Sequence, residues 1–296
     1  MTETGTVGEL LAGLPAVGPK QRGSVLGSLM LHPDTELAGL EPHDREWLDE
    51  VIAFLRANPS DDTVIKEVSP DDWMYRKSGE SYFATGRNAL KSIRLAMLES
   101  GKSSFESILD FGCGFGRVLR MLKAAFPEAR LTACDIRRDG VDFCAAVLGA
   151  TPVYSSLDVN EIDLEGPFDL IFCGSVFTHF DAGLWSTFLP YFESLLMDQG
   201  LILFTTQGRR TADLFRRREL EWGLTEEGIQ KMLSDYDDTG FGFSSYSGNH
   251  ELGISLSKPS WVLAQIEKLP SLRLVTYREL ILPRQDTVGC IRIAES

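Results

Sequence analysis

Apolar residues in this chain follow two rhythms. Short unbroken runs, Ile108-Leu109 with Phe111, Ala129 to Cys134, Phe168 to Cys173 and Gly200 to Thr206, alternate with stretches in which apolar positions return every three or four residues, as in Val118, Leu119, Leu122, Ala125 and Phe126. The runs read as strands buried on both faces and the wider spacing as amphipathic helices. Alternation of the two predicts an α/β domain around a mostly parallel sheet. A further short strand is expected near Pro152 to Tyr154, and a helix from about Arg87 to Leu98. Two β-rich runs, Leu272 to Leu282 and Thr287 to Ala294, close the chain. Upstream, Trp47, Leu48, Val51, Ile52 and Leu55 share one face of a predicted accessory helix over residues 45–56. Residues 1–30, rich in glycine and without sustained periodicity, are expected to be poorly ordered.

The most informative segment is Ser107 to Leu122, a strand, a glycine-rich turn and a helix in direct succession. That order places helix N–H groups above a strand end and builds a nucleotide-type site. A dinucleotide fingerprint requires G-x-G-x-x-G, but counting from Gly112 the last glycine position holds Arg117. A P-loop requires Gly-Lys-Ser/Thr after its glycines, and none follows.

The pattern that remains, Asp110-Phe-Gly-Cys-Gly-Phe-Gly116, resembles the first motif of class I (Rossmann-like) S-adenosylmethionine-dependent methyltransferases. The second strand ends in Asp135, where an acidic side chain can accept both ribose hydroxyls. The resemblance is clear over residues 106–207 and implies S-adenosyl-L-methionine as cofactor. It also implies a doubly wound, seven-stranded, mostly parallel sheet, with a sixth strand and an inserted antiparallel seventh from the last two runs. Carried onto this sequence, it sets the methionine part over Asp110, Gly112, Cys113, Gly114 and Gly116, the ribose on Asp135 and the adenine on Ile136. Asp158 and Val159 would meet the adenine edge, Asp158 being equally readable as a helix cap, and Cys173 and Ser175 would flank the cofactor from the fourth strand. Tyr82 and Gly86 would approach the methionine carboxylate from the opposite side. The organisation expected is an N-terminal arm over residues 1–80 and a methyltransferase domain over 81–296.

Composition and charge narrow the partners. A formal net charge of −14 disfavours nucleic acid, which needs a positive stripe to displace condensed counterions. The one basic concentration, Arg209, Arg210 and Arg216 to Arg218, reads as a solvated face paired with neighbours such as Glu219 and Glu221. No apolar run approaches the length of a membrane span, and the first residues lack the basic and apolar regions of a signal peptide, so a cytoplasmic protein without membrane partners is expected. The five cysteines are odd in number and include no C-x-x-C pair, which predicts reduced, buried, inert thiols. The fourth strand ends in Cys173-Gly174-Ser175 without a carboxylate pair, so no metal is expected.

Residues 208–256 interrupt the expected course of the fold after the fifth strand and read as a substrate lid. Within them Thr225 begins a helix through Asp235, and Phe241 to Gly253 reads as a glycine-punctuated hairpin carrying Tyr246 and His250. A helix from Lys258 to Lys268 follows, with Ser257 as its predicted cap and Pro259 in the first turn. Tyr75, Phe177, Tyr246 and His250 are the candidate acceptor contacts. His179, just beyond the fourth strand, is the candidate base, with an orienting or purely structural role as its alternatives. The function expected is methyl transfer to an oxygen, less readily a nitrogen, of a small polar acceptor such as a glycan precursor or secondary metabolite. An NAD-dependent oxidoreductase and a non-catalytic S-adenosylmethionine-binding module are the alternatives, and oligomeric state is open.

Overall fold

The structure is a computed structural model that describes residues 49, 51–55, 57–75, 79–282 and 284–294. Helix α1 (Glu80–Ser100) lies between Gly79 and Gly101, both in the left-handed region with φ of 61° and 75°. It buries Tyr82, Gly86, Ala89, Leu90, Ile93, Ala96 and Met97, the spacing of a single face. The helix thus starts seven residues before the expected Arg87, and Tyr82 and Gly86 belong to its packed face instead of a loop. The main sheet then forms from β1 (Ser107–Phe111), β2 (Arg130–Asp135), β3 (Thr151–Tyr154), β4 (Phe168–Cys173) and β5 (Leu196–Thr206), with β8 (Leu272–Leu282) and β9 (Gln285–Arg292). Its order is β3-β2-β1-β4-β5-β9-β8, with β9 inserted antiparallel to both neighbours. This is the doubly wound, seven-stranded, mostly parallel sheet that the resemblance implied.

The sheet is covered on both faces, and the period of two in its strands sorts side chains between them. Ile108, Leu131, Ala133, Leu170, Phe172, Leu201 and Leu203 pack under α1, α2 (Leu119–Ala125) and α3 (Arg138–Leu148). Their neighbours Leu109, Cys134, Ile171, Cys173, Ile202 and Phe204 pack under α4 (Ala182–Leu195) and α7 (Pro259–Ile266). All five cysteines are free and buried.

Between β5 and α7 the chain forms α5 (Arg209–Arg216), α6 (Glu226–Thr239) and the hairpin β6 (Phe241–Tyr246) with β7 (Asn249–Ser257). This insertion carries its own apolar cluster, including Phe215, Leu224, Met232, Tyr236 and Leu256. Thr225 caps α6 by accepting from the Gly228 N–H. Ser257 does not cap α7: Lys258 holds that place, and Ser257, still part of β7, donates its N–H to the Gln207 carbonyl at 2.9 Å. Four of the five arginines of the cluster are paired, Arg209 with Glu279, Arg216 with Asp213 and Asp237, Arg217 with Glu219 and Arg218 with Glu226.

Of the accessory helix, residues 51–55 are helical, with Val51 buried and Phe54 packed on the core beneath the Arg94 guanidinium. Trp47 and Leu48, the segment 1–30, and His32 and His43 lie outside the described residues. No helix among the described residues is long and apolar enough to cross a membrane.

Candidate active site

A cavity of about 670 Å³ opens at the C-terminal ends of β1 to β5, where strand order reverses between β1 and β4. Crevices at that switch point are where open α/β sheets bind ligands. Its first half stands over β1, β2 and β3. Gly114, at φ 52°, leaves open space on its Cβ side, so the backbone itself faces the cavity. Gly112, at φ 81°, sits so close to the loop after β4 that a Cβ would fall 2.5 Å from Val176 Cγ2.

Asp135 is held by this loop. Its Oδ2 accepts from the Gly114 N–H at 2.7 Å and its Oδ1 from the Arg137 N–H at 2.8 Å. Each oxygen keeps a further acceptor direction, so the carboxylate remains able to take hydroxyl hydrogens. Ile136, 53% exposed, forms the adjoining apolar edge. Beneath them Asp110 is buried with its Oδ2 unpartnered, and desolvation, reinforced by the charge of Asp135, pushes its pKa up to about 7. Cys113 lines the wall, and its hydrogen bond with Cys144, added to burial, pushes the thiol well above its ordinary range, which makes it a poor nucleophile.

The second half stands over β4 and β5 under the insertion. Ser175 has a left-handed backbone, φ 62°, fixed by donation of its N–H to Thr205 Oγ1 at 2.7 Å, and its Oγ accepts from Gln285 Nε2 at 2.9 Å. Such strain is held only where the surroundings enforce it. His179 follows in a short 3₁₀ turn, Phe177–His179. Its Nδ1 lies 2.8 Å from the Gly253 carbonyl, and since a carbonyl only accepts, Nδ1 carries the proton. The Tyr246 hydroxyl meets the same nitrogen at 2.9 Å. Burial lowers the His179 pKa, so the ring is neutral at pH 7 and Nε2 is the basic nitrogen.

Eight of the residues expected from the sequence therefore meet at one cavity: Gly112, Cys113, Gly114, Asp135, Ile136, Ser175, His179 and Tyr246. Others have different work. Tyr82 is 1% exposed and lies under the guanidinium of Arg120, off the cavity. Gly86 provides close packing, since a Cβ there would fall 2.5 Å from the Arg117 carbonyl. Gly116 likewise packs on Leu148 and Cys144 of α3. Asp158 is exposed and accepts from the Asn160 N–H at 2.9 Å, so the capping role prevails, and Val159 packs into the core beside it. Cys173 and Phe177 are fully buried, the latter among Phe180, Trp185, Phe192 and Phe204. Tyr75 packs edge-on against Tyr82, and Trp73 and Met74 line the cavity in its stead. The side chain of His250 lies outside the described residues.

Among the lining residues that the sequence does not announce are Arg117, Gln207 and Trp222. The available signal for Arg117 was a cation in the first turn of a helix otherwise expected to be buried. Its guanidinium forms no hydrogen bond among the described residues, and Tyr82, Asp72 and Asp110 favour its charge against the cost of burial. Gln207 and Trp222 reach the cavity only through the fold of the insertion, which no local pattern announces.

A family model described as a methyltransferase domain matches residues 109–202. The chain is 29% identical over 140 residues to a malonyl-[acyl-carrier protein] O-methyltransferase of Acetivibrio thermocellus, covering 46% of this chain and 49% of that protein. It is 29% identical over 125 residues to a protein of the same description from Anoxybacillus flavithermus, covering 42% and 48%. The chain thus spans about half the length of the curated relatives it matches. Among solved structures, an S-adenosylmethionine-dependent methyltransferase from Clostridium acetobutylicum superposes with a TM-score of 0.50 at 14% identity, over 75% of this chain and 97% of that one. Residues 109–202 are thus similar to a methyltransferase domain, and the fold built around them is the class I, Rossmann-like fold.

Proposed function

We propose that the protein is an enzyme that transfers a methyl group from S-adenosyl-L-methionine to an oxygen of a small polar acceptor. The observation that carries this reading is the Asp135 carboxylate, pinned against the Gly114 N–H at the mouth of a glycine loop that presents bare backbone to the cavity. The lining fits this cofactor. Asp135 would hold the ribose hydroxyls, Ile136 and Leu157 the adenine, and Arg117, with no hydrogen bond among the described residues, the methionine carboxylate. When bound, the cofactor would supply a methyl group on a sulfonium whose sulfur leaves as a neutral thioether. The protein's part is then to hold an acceptor oxygen in line and to exclude water, and orientation of that kind is worth on the order of 7–11 kcal/mol in favourable cases.

His179 is the base in this reading. Gly253 fixes the tautomer with the proton on Nδ1, which leaves Nε2 to take the hydroxyl proton, and burial keeps the imidazole neutral. The insertion over residues 208–256 serves as the lid of the acceptor site. Oxygen as the target agrees with the names of the relatives, both O-methyltransferases, over the half of their length that matches.

Titration calorimetry with S-adenosylhomocysteine and with NAD tests the assignment. Saturable binding of S-adenosylhomocysteine and none of NAD is expected, with Asp135→Ala weakening it at least tenfold. Binding of NAD alone would place the chain with oxidoreductases.

A further inference from the structure

The two halves of the cavity differ in charge. Every formally charged residue that lines it, Asp72, Arg117, Asp135 and Arg137, comes from the glycine-loop side or the segment packed upon it. The half under the insertion is lined, among the described residues, by neutral groups: Ser175, His179, Gln207, Gln285 and the apolar and aromatic side chains of the insertion. Gln207 stands out among them. It is 3% exposed, its Oε1 is buried without a partner, and its amide forms no hydrogen bond with any described residue.

A buried amide is almost always paired, and an unpaired one beside a cavity calls for a ligand group that both donates and accepts. Its position is fixed from two sides. Its carbonyl takes the Ser257 N–H at 2.9 Å, and the next residue, Gly208, has room for no side chain, since a Cβ would fall 2.1 Å from Asp286 Oδ2. These contacts fix the backbone that carries the amide at the junction of β5 with the insertion. From the insertion come Trp222, at φ 46° and packed edge-on against Phe215, and Tyr246, with Leu252 and Ile254 beside them on the same lining.

We propose that this half of the cavity is a subsite for a neutral polyhydroxylated ring, an acceptor of the carbohydrate class, with Gln207 as the residue that anchors its hydroxyls. An amide that offers one donor and one acceptor matches a hydroxyl or a vicinal pair, and aromatic faces suit the C–H surface of a sugar ring. A free carboxylate would bring a charge into a neutral, partly enclosed region and lose hydration without a counterion there. The acceptor thus differs in chemistry from the malonyl group for which the relatives are named. This inference rests on the methyltransferase reading above, because it takes the other half of the cavity to be occupied by the cofactor.

Saturation-transfer NMR on the full chain with S-adenosylhomocysteine bound would test it, with methyl α-L-rhamnopyranoside, methyl α-D-glucopyranoside and methyl α-D-mannopyranoside as sugar probes, phenol as an aromatic hydroxyl, and malonyl-N-acetylcysteamine as a carboxylate. At least one glycoside is expected to bind in preference to phenol and the malonyl thioester. Gln207→Leu should weaken that glycoside at least tenfold while S-adenosylhomocysteine affinity stays within twofold, which also shows that the variant folds. Trp222→Ala should weaken the glycoside with the same sparing of cofactor. Preference for the malonyl thioester or phenol, binding of no glycoside, or equal glycoside binding by Gln207→Leu would overturn the proposal while leaving the cofactor reading intact. Failure of the unaltered protein to bind S-adenosylhomocysteine would instead bring down the reading on which it rests.

Discussion

Asp110 is sealed from water at the end of β1, with Asp135 close enough to raise its pKa further and Arg117 and the Leu119 N–H pulling the other way. Burial wins, and the carboxyl titrates at about 7 in place of 3.8. The folded state therefore binds this proton more tightly than the unfolded chain. The stabilisation is fully present below pH 4 and is lost as pH rises from there through about 7. Asp110→Asn removes the titration and keeps an acceptor for the Leu119 N–H. Comparing urea unfolding of the two proteins at pH 5 and pH 8, the variant should gain about 2–3 kcal/mol on the native protein over that interval. Parallel pH dependences would show that Asp110 is ionised throughout.

Elements pack here through glycines whose purpose differs from what their sequence neighbourhood suggested. Gly86 is in α1, where alanine has the better helix propensity by about 1 kcal/mol. An added Cβ, however, would stand 2.5 Å from the Arg117 carbonyl and 2.9 Å from Met121 Cγ, and a main-chain oxygen does not yield as a side-chain tip does. Overpacking of this kind costs roughly 1–3 kcal/mol, so Gly86→Ala should destabilise the protein despite its propensity. Because Arg117 carries the offending carbonyl, S-adenosylhomocysteine affinity should fall too. A melting temperature at or above that of the unaltered protein would disprove the packing role. The strands were legible in the sequence because parallel strands buried on both faces must be continuously apolar, and Asp135 because an acidic residue closing such a strand is conspicuous. The start of α1 was not, since Tyr82, Phe83 and Gly86 read locally as an aromatic loop while their helical face is defined by contact with Arg120 and Arg117. Ser257 misled because the strand extends through it, so the helix begins one residue later with Lys258 at its N-cap.

At the scale of the whole molecule, the insertion has its own apolar cluster and is tied to the turn after β4 by side-chain hydrogen bonds. Ser255 Oγ donates to the Phe177 carbonyl at 2.9 Å, His179 Nδ1 donates to the buried Gly253 carbonyl at 2.8 Å, and the Tyr246 hydroxyl meets the same nitrogen at 2.9 Å. In the proposed reaction His179 thus has two ends with separable duties, Nδ1 holding the hairpin and Nε2 taking the acceptor proton. His179→Ala removes both and leaves the Gly253 carbonyl unpaired, a loss of about 1–3 kcal/mol. Amide hydrogen exchange should then quicken in β6 and β7 while β1 and β4, deep in the sheet, keep their protection. His179→Asn replaces the Nδ1–H donor by an amide N–H and supplies no base. It should restore hairpin protection without restoring turnover, whereas the unaltered enzyme should lose kcat/KM on acidification only below the ordinary imidazole range, because burial lowers the His179 pKa. If His179→Asn retained full turnover with an unchanged pH profile, the base assignment would fail and His179 would be the clasp of the lid alone. If His179→Ala left hairpin exchange untouched, the clasp would fail and the catalytic duty would stand by itself.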